Sequence, residues 1–268
     1  MKDFDSKLTE LITNALKEDI GNGDHSTLSC IDANKKGKAI LKIKQPCIIA
    51  GINVAEKIFK HVEPTVIFTT YKKDGDEVQY GEIAFEVEAN IHTILQCERL
   101  VLNCMQRMSG IATLTHQYTE KLKGYTTKLL DTRKTTPNFR LLEKEAVKIG
   151  GGINHRFGLY DMIMLKDNHI DYCGGIENAI NKAYNYITTK KLSLKIEVET
   201  RSIKDVETVC KTATGKVFRI MLDNFTPQQI TEALQIINKK FQTEASGGIN
   251  LENIKQYAAT GVNYISVG

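Results

Sequence analysis

Two periods of apolar residues divide the first part of the chain into helices and strands. Helical spacing occurs in residues 1–20, 53–61 and 96–122, the last as one long helix or as two helices broken at Ser109 and Gly110. Alternating apolar and polar residues between glycine-bearing turns are typical of an antiparallel sheet that buries one face. The alternating runs are residues 38–51, 65–71 and 84–95. These patterns predict a separate α/β layer domain.

The rest of the chain repeats one unit, in which an apolar run ends in a polar group and a helical stretch follows. The first two runs, residues 128–131 and 162–166, have the length of short buried strands. Between them, Pro137 marks a helix start, residues 141–149 form the predicted helix, and Gly150 begins its stop. Repeats of this kind at intervals of about 20 to 35 residues indicate a barrel of βα units.

The ends of the predicted strands hold the candidate functional residues. In βα barrels the carboxyl ends of the strands form the rim of the active site. The successive ends are Asp131-Thr132-Arg133-Lys134, Lys166-Asp167-Asn168, Glu197-Val198-Glu199, Asp223-Asn224, Ser246-Gly247-Gly248 and Ser266-Val267-Gly268. The early ends are cationic, the middle ends are acidic and the last two are rich in glycine.

The cationic ends predict an anion-binding pocket. A charge run is usually a solvated helix face, but these cations fall on loops at element ends, where βα loops converge. Arg forks suit planar carboxylates and phosphates, and Lys acts beside them as a point charge. The candidates are Arg133, Lys134, His155, Arg156 and Lys166.

The acidic and glycine-rich ends predict two further binding functions. Glu199 and Asp223 are candidate Mg²⁺ ligands, because Mg²⁺ takes a few carboxylates together with substrate oxygens. Glu197 and Glu199 point to the same face of a strand, so their spacing does not choose between them. The turns that begin at Ser246 and Ser266 offer backbone N–H groups suited to a phosphate.

Four polar residues near these ends have structural alternatives. Asp167, Asn168 and Asn224 are either turn residues or groups that orient their neighbours. His169 is expected to be hydrogen-bonded within the structure and not to be a ligand.

Composition narrows the class of protein. With 268 residues, 41% of them hydrophobic, the chain is long enough for one barrel or two small domains. A net charge of +4 favours local anion binding over nucleic-acid binding. The six cysteines form no CxxC pair, which argues against a zinc site or a disulfide framework. Because no continuous apolar signal or membrane-length run occurs, we expect a cytoplasmic protein with no membrane partner.

Long motifs give the chain a family resemblance. The segments "DTRKTTPNFRLLEKEAVKIGGGINHR" and "KDNHI", together with "EDIGNGDHST" near the start and "YISVG" at the end, resemble quinolinate phosphoribosyltransferase, also called nicotinate-nucleotide pyrophosphorylase (carboxylating). The resemblance implies an N-terminal α/β open-faced sandwich over residues 1–112, with quinolinate-pocket and dimer helices. An incomplete, TIM-like α/β barrel of the type II phosphoribosyltransferases would follow over residues 113–268.

The resemblance also implies a reaction and roles for individual residues. The enzyme, a pentosyltransferase, would transfer phosphoribosyl from phosphoribosyl pyrophosphate (PRPP) to quinolinate with decarboxylation. The products would be nicotinate mononucleotide, pyrophosphate and CO₂ in de novo NAD biosynthesis, with Mg²⁺ as cofactor. Quinolinate would be bound by Arg99, Arg133, His155, Arg156 and Lys166; PRPP by Lys134, Glu199, Asp223, Ser246, Gly247, Gly248 and Gly268; and the metal by Glu199 and Asp223. The catalytic residues would be Lys134, Lys166, Glu199 and Asp223.

The implied assembly is a homodimer in which Arg99, within "ERLVLNCMQRMSGIAT", reaches the partner's site; a hexamer is an alternative. The family continues past "YISVG" to a final strand, so a chain ending there is expected to lack the helix after its last phosphate loop. Three other functions stay open at this point. They are phosphoribosyl transfer to a different anion, a Schiff-base aldolase that uses Lys166, and a non-catalytic barrel that binds phosphosugars.

Overall fold

A computed structural model describes residues 2–268 of the chain. The helices are α1 (Lys2–Ile20), α2 (His25–Cys30), α3 (Ile52–Val62), α4 (Ile91–Lys121), α5 (Arg140–Ile149), α6 (Asp167–Cys173), α7 (Ile176–Thr189), α8 (Ile203–Thr212), α9 (Pro227–Ile237) and α10 (Ile254–Ala258). The strands are β1 (Lys36–Lys42), β2 (Cys47–Ile48), β3 (Ile67–Thr70), β4 (Glu77–Val78), β5 (Ile83–Asn90), β6 (Lys128–Leu130), β7 (Ile163–Leu165), β8 (Ile196–Thr200), β9 (Arg219–Asp223), β10 (Gln242–Ser246) and β11 (Tyr264–Ser266).

The chain folds into two compact units. The first comprises Met1–His116 and Thr135–Gly151, and the second comprises Gln117–Lys134 and Gly152–Gly268. Helix α5 therefore belongs to the first unit, although it follows β6 in sequence. The domain boundary expected between residues 112 and 113 stays a prediction.

The first unit contains an antiparallel sheet of strand order β1-β5-β3, with a separate pair of β2 and β4. From Phe85 to Asn90, buried residues of β5 alternate with partly exposed ones, as a sheet with one covered face requires. Phe59, Phe68 and Phe85 pack with ring centroids 4.5 to 6.5 Å apart within its core. The predicted antiparallel α/β layer is thus confirmed.

The start of α4 was predicted wrongly. Residues 91–95 were assigned to a strand, but β5 ends at Asn90 and α4 begins at Ile91. Apolar residues from Ile94 onward follow helical spacing into the core, and this burial outweighs the strand-like sequence before it. No break occurs at Ser109, whose hydroxyl accepts a hydrogen bond from the Ala50 backbone N at 3.0 Å. Packing therefore holds α4 as one helix of 31 residues.

The segment "EDIGNGDHST" leads into the short helix α2. Asp24 caps this helix, because its carboxylate accepts a hydrogen bond from the backbone N of Thr27 at 3.1 Å. His25, the first residue of α2, is exposed.

The second unit is an open parallel sheet of order β6-β11-β10-β9-β8-β7, with helices between successive strands. Six parallel strands that do not close agree with the predicted incomplete barrel. The strands β8 to β11 read as nearly continuous buried runs, as expected for parallel strands covered on both faces. The parallel register aligns Asp223 with Ser246 and Leu130 with Ser266, so strand ends meet at one edge.

No helix within residues 2–268 has the length and apolar composition that a bilayer crossing requires.

Candidate active site

A cavity of about 830 Å³ opens at the carboxyl ends of the parallel strands in the second unit. Eleven of the twelve residues predicted for the site line it. They are Arg133, Lys134, His155, Arg156, Lys166, Glu199, Asp223, Ser246, Gly247, Gly248 and Gly268. The shared edge of parallel strands explains why residues distant in sequence meet there.

The cationic side of the cavity is built by the loops after β6 and before β7. Arg156 is half-buried, and its Nη1 donates a hydrogen bond to the Met162 carbonyl oxygen at 3.1 Å. Burial, and then the nearby charge of Arg133, lower the pKa of Arg156 below its ordinary value. Neighbouring guanidinium groups that repel one another within one cavity favour the binding of an anion beside them.

Asp131 fixes the loop that presents these cations. This buried carboxylate, directly after β6, accepts hydrogen bonds from the backbone N of His155 and from Nδ2 of Asn154, both at 2.7 Å. A buried carboxylate bonded through both oxygens is a rigid anchor. The loop therefore reaches the cavity in a fixed conformation.

At the cavity wall, His155 belongs to a buried cluster of charged residues. Its Nε2 lies 2.9 Å from Glu197 Oε2 and 3.4 Å from Glu244 Oε2. Arg219 Nη1 lies 2.8 Å from the same Glu244 oxygen and 3.6 Å from that of Glu197. Both carboxylates are fully buried, so this ion-pair network is largely shielded from water.

Burial within this network shifts the pKa values of its members. Burial raises the pKa of Glu197 to about 7. Burial also opposes the protonation of His155, but hydrogen bonds to Glu197 and Glu244 outweigh it and raise the pKa of His155 to about 9. Glu244 keeps a lowered pKa against burial, because it bonds His155 and lies beside Arg219.

The acidic residues Glu199 and Asp223 line the cavity from adjacent strands. Glu199 Oε2 lies 3.6 Å from Lys166 Nζ, and Asp223 Oδ2 accepts a hydrogen bond from Asn224 Nδ2 at 2.7 Å. Asn224 is thus an orienting neighbour, one of the two alternatives left for it by the sequence. Glu197 contacts the buried network instead, so the two glutamates of β8 lie at different depths.

Glycines form another part of the cavity wall. A Cβ on Gly247 would overlap Asn224 Oδ1, and the φ angle of Gly247 is +97°. A Cβ on Gly268 would lie 3.1 Å from Lys134 Cδ. Close backbone approach therefore requires glycine at Gly247, and it places the end of β11 beside the lysine after β6.

Three further predicted residues have defined positions. Arg99, the twelfth predicted site residue, is exposed on α4 in the first unit. His169 Nδ1 accepts a hydrogen bond from the Lys166 backbone N at 3.0 Å, which confirms its structural role. Asp167 is not a turn residue, because it begins α6 and lines the cavity; its carboxylate accepts a hydrogen bond from the backbone N of Asn168 at 2.7 Å.

Residues inside the strands were missed by reasoning from strand ends alone. Arg219 begins β9 and Glu244 lies within β10, so neither falls at a carboxyl end. Their signal was a charged residue inside an otherwise buried run, which requires a charged partner.

Comparisons with known proteins agree along the chain. The family described as "Quinolinate phosphoribosyl transferase, N-terminal domain" matches residues 24–109, and the corresponding C-terminal domain matches residues 111–268. A chloroplastic nicotinate-nucleotide pyrophosphorylase (carboxylating) of Arabidopsis thaliana is 41% identical, over 97% of this chain and 78% of the relative. A probable enzyme of the same name from Bacillus subtilis is 40% identical, over 98% of this chain and 88% of the relative.

Solved structures give the same result. NadC from Streptococcus pyogenes superposes with a TM-score of 0.89 at 37% identity, covering 97% of this chain and 90% of that one. The nicotinate-nucleotide pyrophosphorylase from Francisella tularensis has a TM-score of 0.88 at 35% identity, covering 98% and 91%. The chain therefore belongs to the quinolinate phosphoribosyltransferase family.

Proposed function

We propose that this enzyme transfers the 5-phosphoribosyl group of PRPP to quinolinate and releases pyrophosphate and CO₂, giving nicotinate mononucleotide for NAD biosynthesis. The observation that carries the proposal is one cavity with a cationic side, a glycine-rich side and carboxylates between them. A dicarboxylate acceptor, a phosphate and a ribose with its metal match these three surfaces.

The cationic side forms the acceptor end of the site. Arg133, His155, Arg156 and Lys166 surround the position proposed for the two quinolinate carboxylates. A dicarboxylate neutralises several fixed cations at once, whereas a monocarboxylate such as nicotinate leaves part of that charge unmatched. The proposed site therefore selects quinolinate over nicotinate.

The glycine-rich side forms the PRPP end of the site. Ser246, Gly247, Gly248 and Gly268 are proposed to receive the 5′-phosphate. Lys134 lies against Gly268, within reach of phosphate oxygens at the same end.

Glu199 and Asp223 fit the requirements of Mg²⁺. Both line the cavity, and two carboxylates with completion by substrate oxygens are the ligand set that Mg²⁺ favours. The bond from Asn224 to Asp223 Oδ2 fixes that carboxylate at the cavity. When bound, Mg²⁺ supplies charge neutralisation for the pyrophosphate.

The proposed chemistry needs no protein nucleophile, because the pyridine nitrogen of quinolinate attacks the anomeric carbon as the bond to pyrophosphate breaks. The protein positions both substrates and stabilises the charge that develops on the leaving group. Lys134 and Lys166 are proposed to meet pyrophosphate oxygens, and Glu199 and Asp223 orient the ribose. Nitrogen then carries a positive charge, which stabilises the electron pair left on the adjacent ring carbon as its carboxylate leaves as CO₂. A proton from solvent is then taken up at that carbon to give nicotinate mononucleotide.

The direct test is an assay of purified protein with PRPP, Mg²⁺ and either quinolinate or nicotinate. Formation of nicotinate mononucleotide from quinolinate alone is expected. Product from neither acceptor, despite measured binding of PRPP, would contradict the proposal and point to a different anion.

The proposed assembly is a homodimer in which Arg99 enters the partner's site, with a hexamer as the larger alternative. Its support is the exposure of Arg99 on α4 and the family resemblance of that segment. Arg99→Ala and Lys166→Ala variants are each expected to be inactive. After subunit exchange in an equal mixture, about half of the dimers contain both variants, and one of the two sites in each of these dimers is intact. The mixture should therefore regain about a quarter of the wild-type rate. No recovery after verified exchange would rule out the shared site.

A cytoplasmic location is part of the proposal. All six cysteines are free, which suits a reducing compartment. Fractionation of cells that produce the protein at its native level is the appropriate test.

A further inference from the structure

The buried cluster at the cavity wall consists of His155, Glu197, Arg219 and Glu244, and we name it the charged network. Its ligand atoms, His155 Nε2 and one carboxylate oxygen from each glutamate, lie within 4.8 Å of one another, a spacing that would also suit a metal ion. However, Arg219 Nη1 already lies 2.8 and 3.6 Å from the two carboxylate oxygens. A guanidinium therefore supplies the cation, and the network is not a metal site.

Both ring nitrogens of His155 are engaged by the protein. Nε2 faces Glu197 at 2.9 Å, and Nδ1 accepts a hydrogen bond from the Arg156 backbone N at 2.7 Å. Because a backbone N–H can only donate, Nδ1 offers its lone pair, and the ring proton lies on Nε2 toward the carboxylates. The raised pKa of His155, about 9, favours a second proton, but the 2.7 Å contact opposes one on Nδ1. This contact favours the neutral imidazole that carries its proton on Nε2.

This geometry determines how His155 contributes to the acceptor end. Both ring nitrogens are bonded within the protein, so the imidazole lines the acceptor end in a fixed orientation. The bond through Nδ1 also fixes the backbone of Arg156, whose guanidinium is held at its other end by the Met162 carbonyl oxygen. Arg156 is thus placed at two points before substrate arrives.

We propose that Glu197 and Glu244 are positioning residues for quinolinate binding, which act through the His155 imidazole on the backbone and guanidinium of Arg156. The inference rests on the proposed acceptor end and goes further, because it assigns a positioning function to two fully buried glutamates that are not among the proposed substrate-binding residues. Arg219 has a supporting part, since its Nη1 neutralises both glutamates and its guanidinium lies 4.4 Å from the centre of the Tyr264 ring.

The test measures the KM for quinolinate and the KM for PRPP in Glu197→Gln and Glu244→Gln. Each variant keeps its shape and loses its charge, so each should raise the KM for quinolinate about tenfold or more, as loss of a hydrogen bond to a charged group does. The KM for PRPP should stay within about twofold, because the glycine-rich side is unaffected. An equal rise in both values, or a lower Tm with both values unchanged, would overturn the proposal.

A double-mutant cycle with Arg156→Ala shows whether the glutamates act through Arg156. In the Arg156→Ala background, Glu197→Gln should change the KM for quinolinate by less than about twofold, since the side chain it positions is gone. Independent, multiplicative effects would contradict the proposal. If Arg156→Ala alone left the KM for quinolinate unchanged, the acceptor end itself would be wrongly assigned, which separates the two failures.

His155→Asn and His155→Leu provide a second test if the glutamine variants fold poorly. Asn keeps an acceptor near the position of Nδ1 for the Arg156 N–H, whereas Leu keeps volume only. The KM for quinolinate should therefore be at least about fivefold lower in His155→Asn than in His155→Leu. Equal losses in the two variants would overturn the proposal.

Thr127→Val is the matched control for loss of a buried polar group in the same unit. Thr127 is buried, and its hydroxyl donates to the Val262 carbonyl oxygen at 2.6 Å, before the start of β6. This variant should lower Tm and leave both KM values unchanged.

Discussion

The cationic and glycine-rich sides of the cavity recognise anions by different physical means. On the cationic side, charged side chains extend from loops, and Asp131 and the charged network hold the loop that carries His155 and Arg156. On the glycine-rich side, the backbone itself approaches the ligand, at φ angles of +97° for Gly247 and +65° for Gly248. The first arrangement depends on supporting charges, and the second on the absence of side chains.

This difference separates selectivity from general affinity. Charged forks placed at fixed points distinguish one anion from another by the number and direction of its carboxylates. A backbone cradle binds a phosphate almost irrespective of the molecule attached to it. We therefore expect substitutions on the cationic side to change the choice of acceptor. Substitutions on the glycine-rich side should weaken the binding of PRPP.

The largest effect is expected for Arg133→Ala. Loss of this guanidinium should lower kcat/KM for quinolinate by about 10²- to 10³-fold, because charge stabilisation inside a shielded site is lost. Steady-state kinetics with quinolinate varied at saturating PRPP provide the measurement. Arg133→Lys should recover less than full activity, since an ammonium cannot make the planar fork contact. Full recovery by Lys would show that only charge matters at Arg133.

Removal of divalent metal is expected to have the next largest effect. Chelation should slow turnover, and Asp223→Asn should raise the Mg²⁺ concentration needed for half-maximal rate by about tenfold or more. The measurement is the initial rate over an Mg²⁺ titration. Asn224→Ala, which frees Asp223 Oδ2 without removing its charge, should show a smaller shift. A metal dependence unaltered by Asp223→Asn would exclude Asp223 as a ligand.

Gly247→Ala tests the glycine-rich side directly. The new methyl group would overlap Asn224 Oδ1, and the backbone would be strained, so a loss of about 2 to 3 kcal/mol in unfolding free energy is expected. The KM for PRPP should rise more than the KM for quinolinate. Gly248→Ala is the control, because its Cβ meets nothing within 4 Å and only the backbone strain of about 1 kcal/mol remains.

The smallest effect is expected at low pH, in the contribution that the loop after Arg156 makes to the stability of the fold. Burial opposes ionisation of Asp161, but backbone N–H groups, including Phe157 at 2.6 Å and Gly158 at 2.9 Å, outweigh it and lower its pKa. The carboxylate therefore stabilises the fold fully above its ordinary pKa of about 4, and this contribution is lost as the pH falls through the lowered value. Thermal unfolding from pH 7 to pH 3 should show a shallower pH dependence for Asp161→Asn than for wild type.

The sequence predicted the strands of the second unit and the cavity residues well, because apolar runs ending in polar residues mark parallel strands. Predicted ends such as Asp223 and Ser246 do lie at the cavity. The sequence was a poorer guide where tertiary packing determines the secondary structure. At Ile91, burial of the following residues turns a strand-like pattern into a helix. The burial depth of Glu197 could not be predicted from the sequence either, because strand periodicity gives the face on which a residue lies and not its partners.

The charged network also constrains how this protein can change over generations. Removal of one member of a buried ion pair costs about 3 to 5 kcal/mol, whereas replacement of a whole group by well-packed apolar residues is often neutral. Glu197, Glu244 and Arg219 share contacts, so any single replacement leaves a buried charge without its partner. Single substitutions in such a network are therefore destabilising, and the network tends to be retained. Its members should therefore be lost together or not at all among descendants of this sequence.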